Sequence, residues 1–259
     1  MPPEGRRTPT ILAMGGGGFT AGPADPALDD MVLRLAGAPR PRICLLPTAG
    51  GDSEHQIRRF HEAFGDRLCE PSHIALFRLG RKPVPLREHL LAQDAVYVGG
   101  GSMVNLLAIW RAQGLDAILR EAWQQGVVLA GLSAGSMCWF EWGVTTSSGA
   151  PATAPGLGFL PGSNSVHHDS EPARRPVYSD AVRSGAIPPG WAVDDGAGLL
   201  FRGTRLAEVV SARPAAHAYE VTDAGERRLA SRLLTRPHEH AASPAVAELR
   251  RLRLAHLRD

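Results

Sequence analysis

Four short apolar runs in the first half of the chain each lead into glycine. They occupy residues 10–14, 42–48, 95–98 and 127–130, and the glycines that follow them are Gly15, Gly50, Gly99 and Gly131. Strands that are apolar along their whole length and alternate with helices are typical of a parallel sheet covered on both faces. We therefore predict an α/β fold with a mostly parallel sheet. Ligands of such sheets bind at the carboxyl ends of the strands, where these glycines fall.

Helical spacing and capping residues predict the elements between the runs. We expect helices over residues 27–36, 53–64, 105–113 and 115–125, and an amphipathic terminal helix over 243–259. We expect a further strand over 73–79, a strand-turn-strand over 191–201 and, from its Gly, Pro and Ser content, a loop over 147–164. No internal repeat or domain boundary is evident, so a single domain over residues 1–259 is the default and two small domains are the alternative.

Composition limits the classes of protein. With 259 residues, 44% hydrophobic and 21% charged, the chain is long enough to bury one large core. A net charge of +2 with scattered arginines gives no reason to expect nucleic acid as a partner, and no apolar run approaches the roughly 18 residues of a membrane helix. Cys44, Cys69 and Cys138 lack the spacing of a disulfide framework or zinc site, and residues 11–14 are too short for a signal peptide. We expect a cytoplasmic protein.

Ser133 follows the apolar run 127–130 within the sequence GLSAG. A Gly-x-Ser-x-Gly motif after a strand is typical of a sharp turn that exposes a nucleophilic hydroxyl, but it also occurs as a simple strand-to-helix connection. A serine becomes a good nucleophile only when a histidine takes its proton and an acid orients that histidine. The motif alone leaves both interpretations open.

Two glycine clusters suggest binding of an anion. Backbone N–H groups of Gly100 and Gly101, together with that of Ala134, could stabilise an oxyanion at Ser133, whereas a triple glycine is more often a loop or a phosphate cradle. Residues 15–18 resemble a dinucleotide fingerprint but lack its G-x-G-x-x-G spacing. We expect no cofactor.

The acidic residues after the second strand could indicate a metal site. Asp52, Glu54 and His55 include metal-ligand types, but a helix N-terminus accounts for the acids more simply. We expect no metal.

Four ordered motifs together are more specific than any one of them. The segments YVGGGSMVNLLAIWRAQGLD, VLAGLSAGSMCWF, PGSNSVHHD and VDDGAGLLF resemble the dipeptidase E and cyanophycinase family of serine peptidases, over about residues 8–220. The resemblance, closest to the dipeptidase E-like branch, implies a flavodoxin-like core shared with class I glutamine amidotransferases. Those amidotransferases have cysteine at the turn, where this chain has Ser133.

The resemblance also implies roles for individual residues. Ser133 takes the position of the nucleophile, and His167, after the PGSN segment, that of the catalytic histidine, with His168 beside it as the alternative. Much of the family has a glutamate as the acid, whereas the matching bend here contains Asp194 and Asp195. Asp195 is the first choice.

The resemblance implies a dipeptide or very short peptide as substrate, with an anionic side chain, such as that of an N-terminal aspartate, next to the scissile bond. Arg174 or Arg175 lies near the expected position of a carboxylate-binding arginine, and a surface arginine is the alternative role for each. Hydrolysis of another small amide or ester, or a catalytically silent protein that binds a small acidic ligand or a partner protein, are the competing functions. The sequence does not determine whether the protein forms a homodimer.

Overall fold

The computed structural model describes residues 7–21, 26–81 and 83–234. Its strands, in chain order, are β1 (Thr10–Met14), β2 (Arg42–Leu46), β3 (Glu70–His73), β4 (Ala95–Val98), β5 (Val128–Leu132), β6 (Phe140–Thr145), β7 (Ala152–Pro155), β8 (Leu160–Val166), β9 (Gly190–Val193), β10 (Ala197–Arg202), β11 (Arg205–Ser211), β12 (Ala218–Thr222), β13 (Gly225–Arg228) and β14 (Arg232–Leu233). Its helices are α1 (Ala27–Ala36), α2 (Glu54–Gly65), α3 (Leu86–Leu91), α4 (Met103–Ala112), α5 (Leu115–Gln124), α6 (Ala134–Met137) and α7 (Arg174–Arg183). The helix expected over 243–259 lies outside the described residues.

The larger sheet confirms the predicted mostly parallel α/β core. Within the described residues it has eight strands in the order β14-β11-β10-β1-β5-β4-β2-β3. Strands β1, β5, β4, β2 and β3 are each parallel to their neighbours within that group, while β10 is antiparallel to β1. Strand β5, which leads to Ser133, therefore lies between β1 and β4.

Helices cover both faces of this sheet. Successive side chains of a strand point to opposite faces, and in β1 Ile11 and Ala13 pack into one hydrophobic cluster while Leu12 and Met14 pack into another. The first cluster is completed by α3, α4 and α5, and the second by α1 and α2. This burial on both sides explains why the inner strands β1, β4 and β5 are apolar along most of their length. The four internal helices predicted from the sequence occur within two residues of their expected ends.

A second sheet contains the later strands in the order β13-β12-β9-β8-β6-β7. One of its faces contributes Phe140, Leu160 and Val193 to the cluster shared with α3, α4 and α5, and the other packs against α7 through Tyr178 and Val182. The predicted strand-turn-strand over 191–201 is present as β9 and β10, but the two strands belong to different sheets. The turn between them therefore joins the sheets.

Two predicted elements are wrong. Residues 147–164 are not a continuous loop, because β7 and most of β8 lie there, and the PGSN segment belongs to β8. Residues 73–79 are not a strand: β3 ends at His73, and a short 3₁₀ helix follows over Leu76–Arg78. Strand β3 is at the edge of its sheet, where Pro71 is tolerated because its missing N–H is not needed for pairing. In the described ranges, no helix is long and apolar enough to cross a membrane.

Candidate active site

Ser133 occupies the sharp turn between β5 and α6 that the motif predicts. Its φ of 56° and ψ of −118° are unusual for a residue with a side chain. The flanking glycines permit the turn: a Cβ on Gly131 would lie 2.0 Å from the carbonyl oxygen of Gly135, and a Cβ on Gly135 would lie 2.4 Å from that of Val98. The tight packing of the turn holds the Ser133 backbone in this conformation.

His167 lies beside the Ser133 hydroxyl. It is the first residue after β8, with a φ of 55°. Its Nε2 is 2.9 Å from Ser133 Oγ and its Nδ1 is 2.6 Å from Asp195 Oδ1. The structure thus brings the three predicted residues into one continuous chain of hydrogen bonds, with the geometry of a nucleophile, a base and an orienting acid.

The Asp195 carboxylate is held from several directions. Its Oδ2 accepts a hydrogen bond from Ser170 Oγ at 2.7 Å, and its backbone N–H donates to Asp169 Oδ1 at 2.9 Å. The hydrogen bond with His167 is the main cause of a lowered pKa for Asp195. The acid therefore stays ionised opposite the imidazole.

Asp194 points away from this chain, as expected of adjacent residues in an extended segment. Its side chain is buried, and Oδ2 accepts a hydrogen bond from the backbone N–H of His217 at 2.9 Å. Burial raises the pKa of Asp194. His168 is also buried and contacts Glu226 through Nε2 at 3.2 Å. The structure places Asp195 and His167, rather than their neighbours, at Ser133.

Gly16 is a site residue that the sequence did not indicate. A Cβ at this position would lie 2.1 Å from Asp195 Oδ1 and 3.0 Å from His167 Cε1. Its carbonyl oxygen accepts a hydrogen bond from the backbone N–H of Gly196 at 3.0 Å. The glycines after β1 thus pack against the Asp195 turn. The adjacency of β1 and β10 would have suggested this contact, but strand order was not evident from the sequence.

Gly100 and Gly101 lie on the opposite side of Ser133, at the end of β4. A Cβ on Gly100 would lie 3.2 Å from Ser133 Cβ, so its backbone is adjacent to the nucleophile. Gly101 has a φ of 142°, and a Cβ there would lie 2.1 Å from the carbonyl oxygen of Ala49. Ala134 is the first residue of α6. Gly100 and Ala134 are therefore adjacent to Ser133, whereas Gly101 packs against Ala49.

Arg174 and Arg175 have different surroundings. Arg174 is buried: its Nη1 donates to the carbonyl oxygen of Val144, its Nε to Glu171 at 2.7 Å and its Nη2 to Thr146 Oγ1 at 3.1 Å. These contacts give Arg174 a structural role in connecting α7 to the end of β6.

Arg175 is more exposed and forms an ion pair with Glu226 at 3.0 Å. Among the described residues, neither Arg174 nor Arg175 lines the cavity that lies beside His167.

That cavity has a volume of about 410 Å³ and opens beside the Asp195 turn. Its lining includes Gly17, Thr20, Leu132, His167, Asp195 and Arg213. Arg213 is a second residue that the sequence did not indicate. Its Nη2 donates to the Asp195 carbonyl oxygen at 2.7 Å and to Asp169 Oδ2 at 2.9 Å.

Two of the three possible metal ligands after β2, Asp52 and Glu54, have other partners. Asp52 Oδ2 accepts a hydrogen bond from the backbone N–H of Phe77 at 2.8 Å, and Glu54 pairs with Arg78 at 2.7 Å. Across the described part of the chain, no group of three or more His, Cys, Asp or Glu side chains is placed to hold a metal ion.

A serine at the carboxyl end of a central parallel strand, hydrogen-bonded through a histidine to an aspartate, is the arrangement of a class of hydrolytic enzymes. Residues 11–209 match Peptidase family S51. An uncharacterised peptidase of Bacillus subtilis (strain 168), YgaJ, is 47% identical over 211 residues, which cover 82% of this chain and 91% of that protein. The chain belongs to Peptidase family S51, which confirms the resemblance described above and the assignment as a peptidase.

Solved structures with the same fold include two peptidases. One, from an acI-B1 Actinobacterium, has a TM-score of 0.68 and 20% identity, covering 88% of this chain and 96% of that one. The other, a putative peptidase E protein from Listeria monocytogenes EGD-e, has a TM-score of 0.56 and 14% identity, covering 86% of this chain and 100% of that one. At these identities the likeness supports the fold.

Proposed function

We propose that this protein is a serine peptidase that hydrolyses dipeptides or very short peptides through an acyl-enzyme. The observation that carries the proposal is the hydrogen-bonded chain from Ser133 Oγ through His167 to Asp195, with separations of 2.9 and 2.6 Å. The first distance is within reach for proton transfer from Ser133 to His167, and the second lets Asp195 orient the imidazole and stabilise its charge. Family membership supports peptide bonds as the substrate.

The first half of the reaction forms the acyl-enzyme. His167 Nε2 takes the proton of Ser133 Oγ as the oxygen attacks the scissile carbonyl carbon, and Asp195 stabilises the imidazolium that results. The negative charge that develops on the carbonyl oxygen is stabilised by backbone N–H groups at Gly100, Gly101 and Ala134. The C–N bond then breaks as His167 gives its proton to the leaving amine.

Water completes the cycle. It replaces the departed amine beside His167, which takes a proton as the water oxygen attacks the ester carbonyl. The ester bond to Ser133 breaks and the serine recovers its proton. No step requires a metal ion or an organic cofactor.

A second part of the proposal concerns which short peptides the enzyme prefers. Resemblance to dipeptidase E favours an N-terminal aspartate, and the cavity beside His167 is small, at about 410 Å³. Hydrolysis of an Asp-X dipeptide panel by the purified protein, with longer peptides and simple esters in parallel, tests both the activity and its size limit. Dipeptide cleavage unaffected by chelators supports the proposal.

The decisive variant is Ser133→Ala. Loss of a triad nucleophile costs on the order of a millionfold in turnover in serine proteases, and we expect a loss of that order here. Ser184→Ala is the matched control, because Ser184 is an exposed serine at the end of α7. Near-normal peptidase activity in Ser133→Ala would refute the serine mechanism.

The substrate panel separates the competing functions of the wild type. Cleavage of esters or other amides but not dipeptides would favour a different small acyl substrate, and no turnover of any substrate would favour a catalytically silent binding protein.

A further inference from the structure

The two sides of Ser133 are chemically different. Strand β5 lies between β1 and β4. Gly100, a proposed oxyanion residue, approaches Ser133 from the β4 side, while Gly16 brings the β1 side into contact with His167 and Asp195. The carbonyl oxygen of a bound peptide and the catalytic histidine thus lie on opposite sides of the nucleophile.

This arrangement determines where the leaving residue binds. In a serine peptidase the histidine returns its proton to the leaving amine, so the residue after the scissile bond must lie on the His167 side. The 410 Å³ cavity is on that side, because its lining includes Gly16, Gly17 and His167. Its volume is toward the small end of the range for ligand pockets. It is the natural site for the residue that leaves.

Arg213 places a fixed positive charge in this cavity. Nε and Nη2 both donate to the Asp195 carbonyl oxygen, at 3.2 and 2.7 Å, and Nη2 also contacts Asp169. These bonds orient the guanidinium on the turn that holds the triad acid. Among the described residues Nη1 has no hydrogen-bond partner, and the side chain is 48% exposed. An edge of the guanidinium is therefore available to a ligand.

We infer that Arg213 binds the free α-carboxylate of the leaving residue and so selects substrates with a single residue after the scissile bond. Guanidinium and carboxylate match in charge and in planar hydrogen-bonding geometry. Asp169 and Asp195 place two carboxylates next to this guanidinium, so we expect a ligand carboxylate to bind at the Nη1 edge, which has no hydrogen bond to either residue. This inference rests on the proposed function, since it assigns the leaving-group side from the serine mechanism.

The test compares a dipeptide with its C-terminal amide, for example Asp-Leu and Asp-Leu-amide. The amide lacks the carboxylate but keeps the scissile bond. We expect the wild type to prefer the free acid in kcat/KM by about 10- to 100-fold, the range for loss of a hydrogen bond to a charged group. The variant Arg213→Met should slow the free acid much more than the amide and so lose most of this preference, in addition to any loss common to both substrates from its contacts with the Asp195 turn. Arg213→Lys should keep part of it.

A purely structural role for Arg213 has a different signature. If the arginine only supports the Asp195 turn, Arg213→Met slows both substrates equally, and that result overturns the inference. Arg87→Met is the matched control, because Arg87 forms an exposed ion pair with Glu121 away from the cavity. A wild type that cleaves both substrates equally well also overturns the inference, yet leaves the proposed peptidase intact.

Binding tests the inference separately from catalysis. In the Ser133→Ala background, calorimetry should show Asp-Leu binding at least about tenfold more tightly than its amide, and adding Arg213→Met should remove the difference. Equal affinities would refute the role of Arg213 even if the wild type proved inactive. If the wild type selects dipeptides but its activity does not depend on Ser133, that result would instead refute the proposed mechanism.

Discussion

Replacing Asp195 by Asn should inactivate the enzyme while the same change at Asp194 should not. The Asp195 carboxylate faces His167 Nδ1 at 2.6 Å, and the His167 hydrogen bond holds its pKa below the ordinary value. Asn is nearly the same size but carries no charge. It ceases to stabilise the imidazolium, and when its NH₂ group faces Nδ1 it favours the tautomer in which Nε2 cannot accept the Ser133 proton.

The expected magnitude is about ten-thousandfold in turnover on the serine-protease precedent, which corresponds to about 5.5 kcal/mol of transition-state stabilisation. Asp194 offers an almost matched control. It is buried, its burial raises its pKa, and its contact with the His217 backbone N–H needs an oxygen rather than a charge. Asp194→Asn keeps such an oxygen, so we expect less than about a tenfold loss.

Steady-state hydrolysis of a dipeptide by the two variants measures the difference, with thermal unfolding as a check that both remain folded. The kcat–pH profile distinguishes loss of the acid from loss of the fold. The His167 imidazolium should be harder to form without the Asp195 carboxylate, and this changes the dependence of kcat on pH. If Asp194→Asn is the more damaging change, the acid has been assigned to the wrong residue. If neither change slows turnover tenfold, the acid lies elsewhere, and Asp169 and Glu171 are the next candidates.

Two further predictions concern residues outside the hydrogen-bonded chain. Gly16→Ala should lower kcat at least about 100-fold with little change in melting temperature, because its Cβ would lie 2.1 Å from Asp195 Oδ1 and displace the acid; near-normal turnover would show that the turn adjusts freely. Burial raises the pKa of Asp29 to about 7, so the folded state favours the protonated form and loses stability as pH rises from about 4 to 7, by up to about 4 kcal/mol. Asp29→Asn should remove that loss. The difference in the free energy of unfolding between pH 5 and pH 8, measured with urea, should therefore be smaller in the variant than in the wild type. An equal difference would refute the role given to Asp29.

Local sequence signals predicted the Ser133 turn and the sheet that supports it. An apolar run followed by small residues is typical of a buried strand that ends in a tight turn, and the glycines at 131 and 135 are needed by contacts within that same turn and with β4. Such features depend on neighbours in sequence or in an adjacent parallel strand, so periodicity and turn chemistry suffice to predict them.

Strand β8 was missed because its composition resembles a loop. Ser163, Asn164 and Ser165 are buried in the second sheet, where apolar residues would have given a clear strand pattern. Partners compensate for much of this burial: Asn164 accepts from Ser136 Oγ at 3.1 Å and donates to the Trp191 carbonyl oxygen at 3.0 Å. Buried polar residues are stable only with such partners, and the partners come from distant parts of the chain that no local pattern reveals.

The same limit applies to the candidate site, which is assembled from both sheets. Ser133 follows a strand of the first sheet, His167 follows β8 of the second, and Asp195 lies in the turn where the chain passes from the second sheet back to the first. Gly16 and Arg213 contact that turn from β1 and from the segment after β11. The geometry of the triad therefore depends on how the two sheets pack. Because proton transfer requires separations near 2.6–3.2 Å, substitutions in the shared core that shift one sheet slightly should reduce turnover before they unfold the protein.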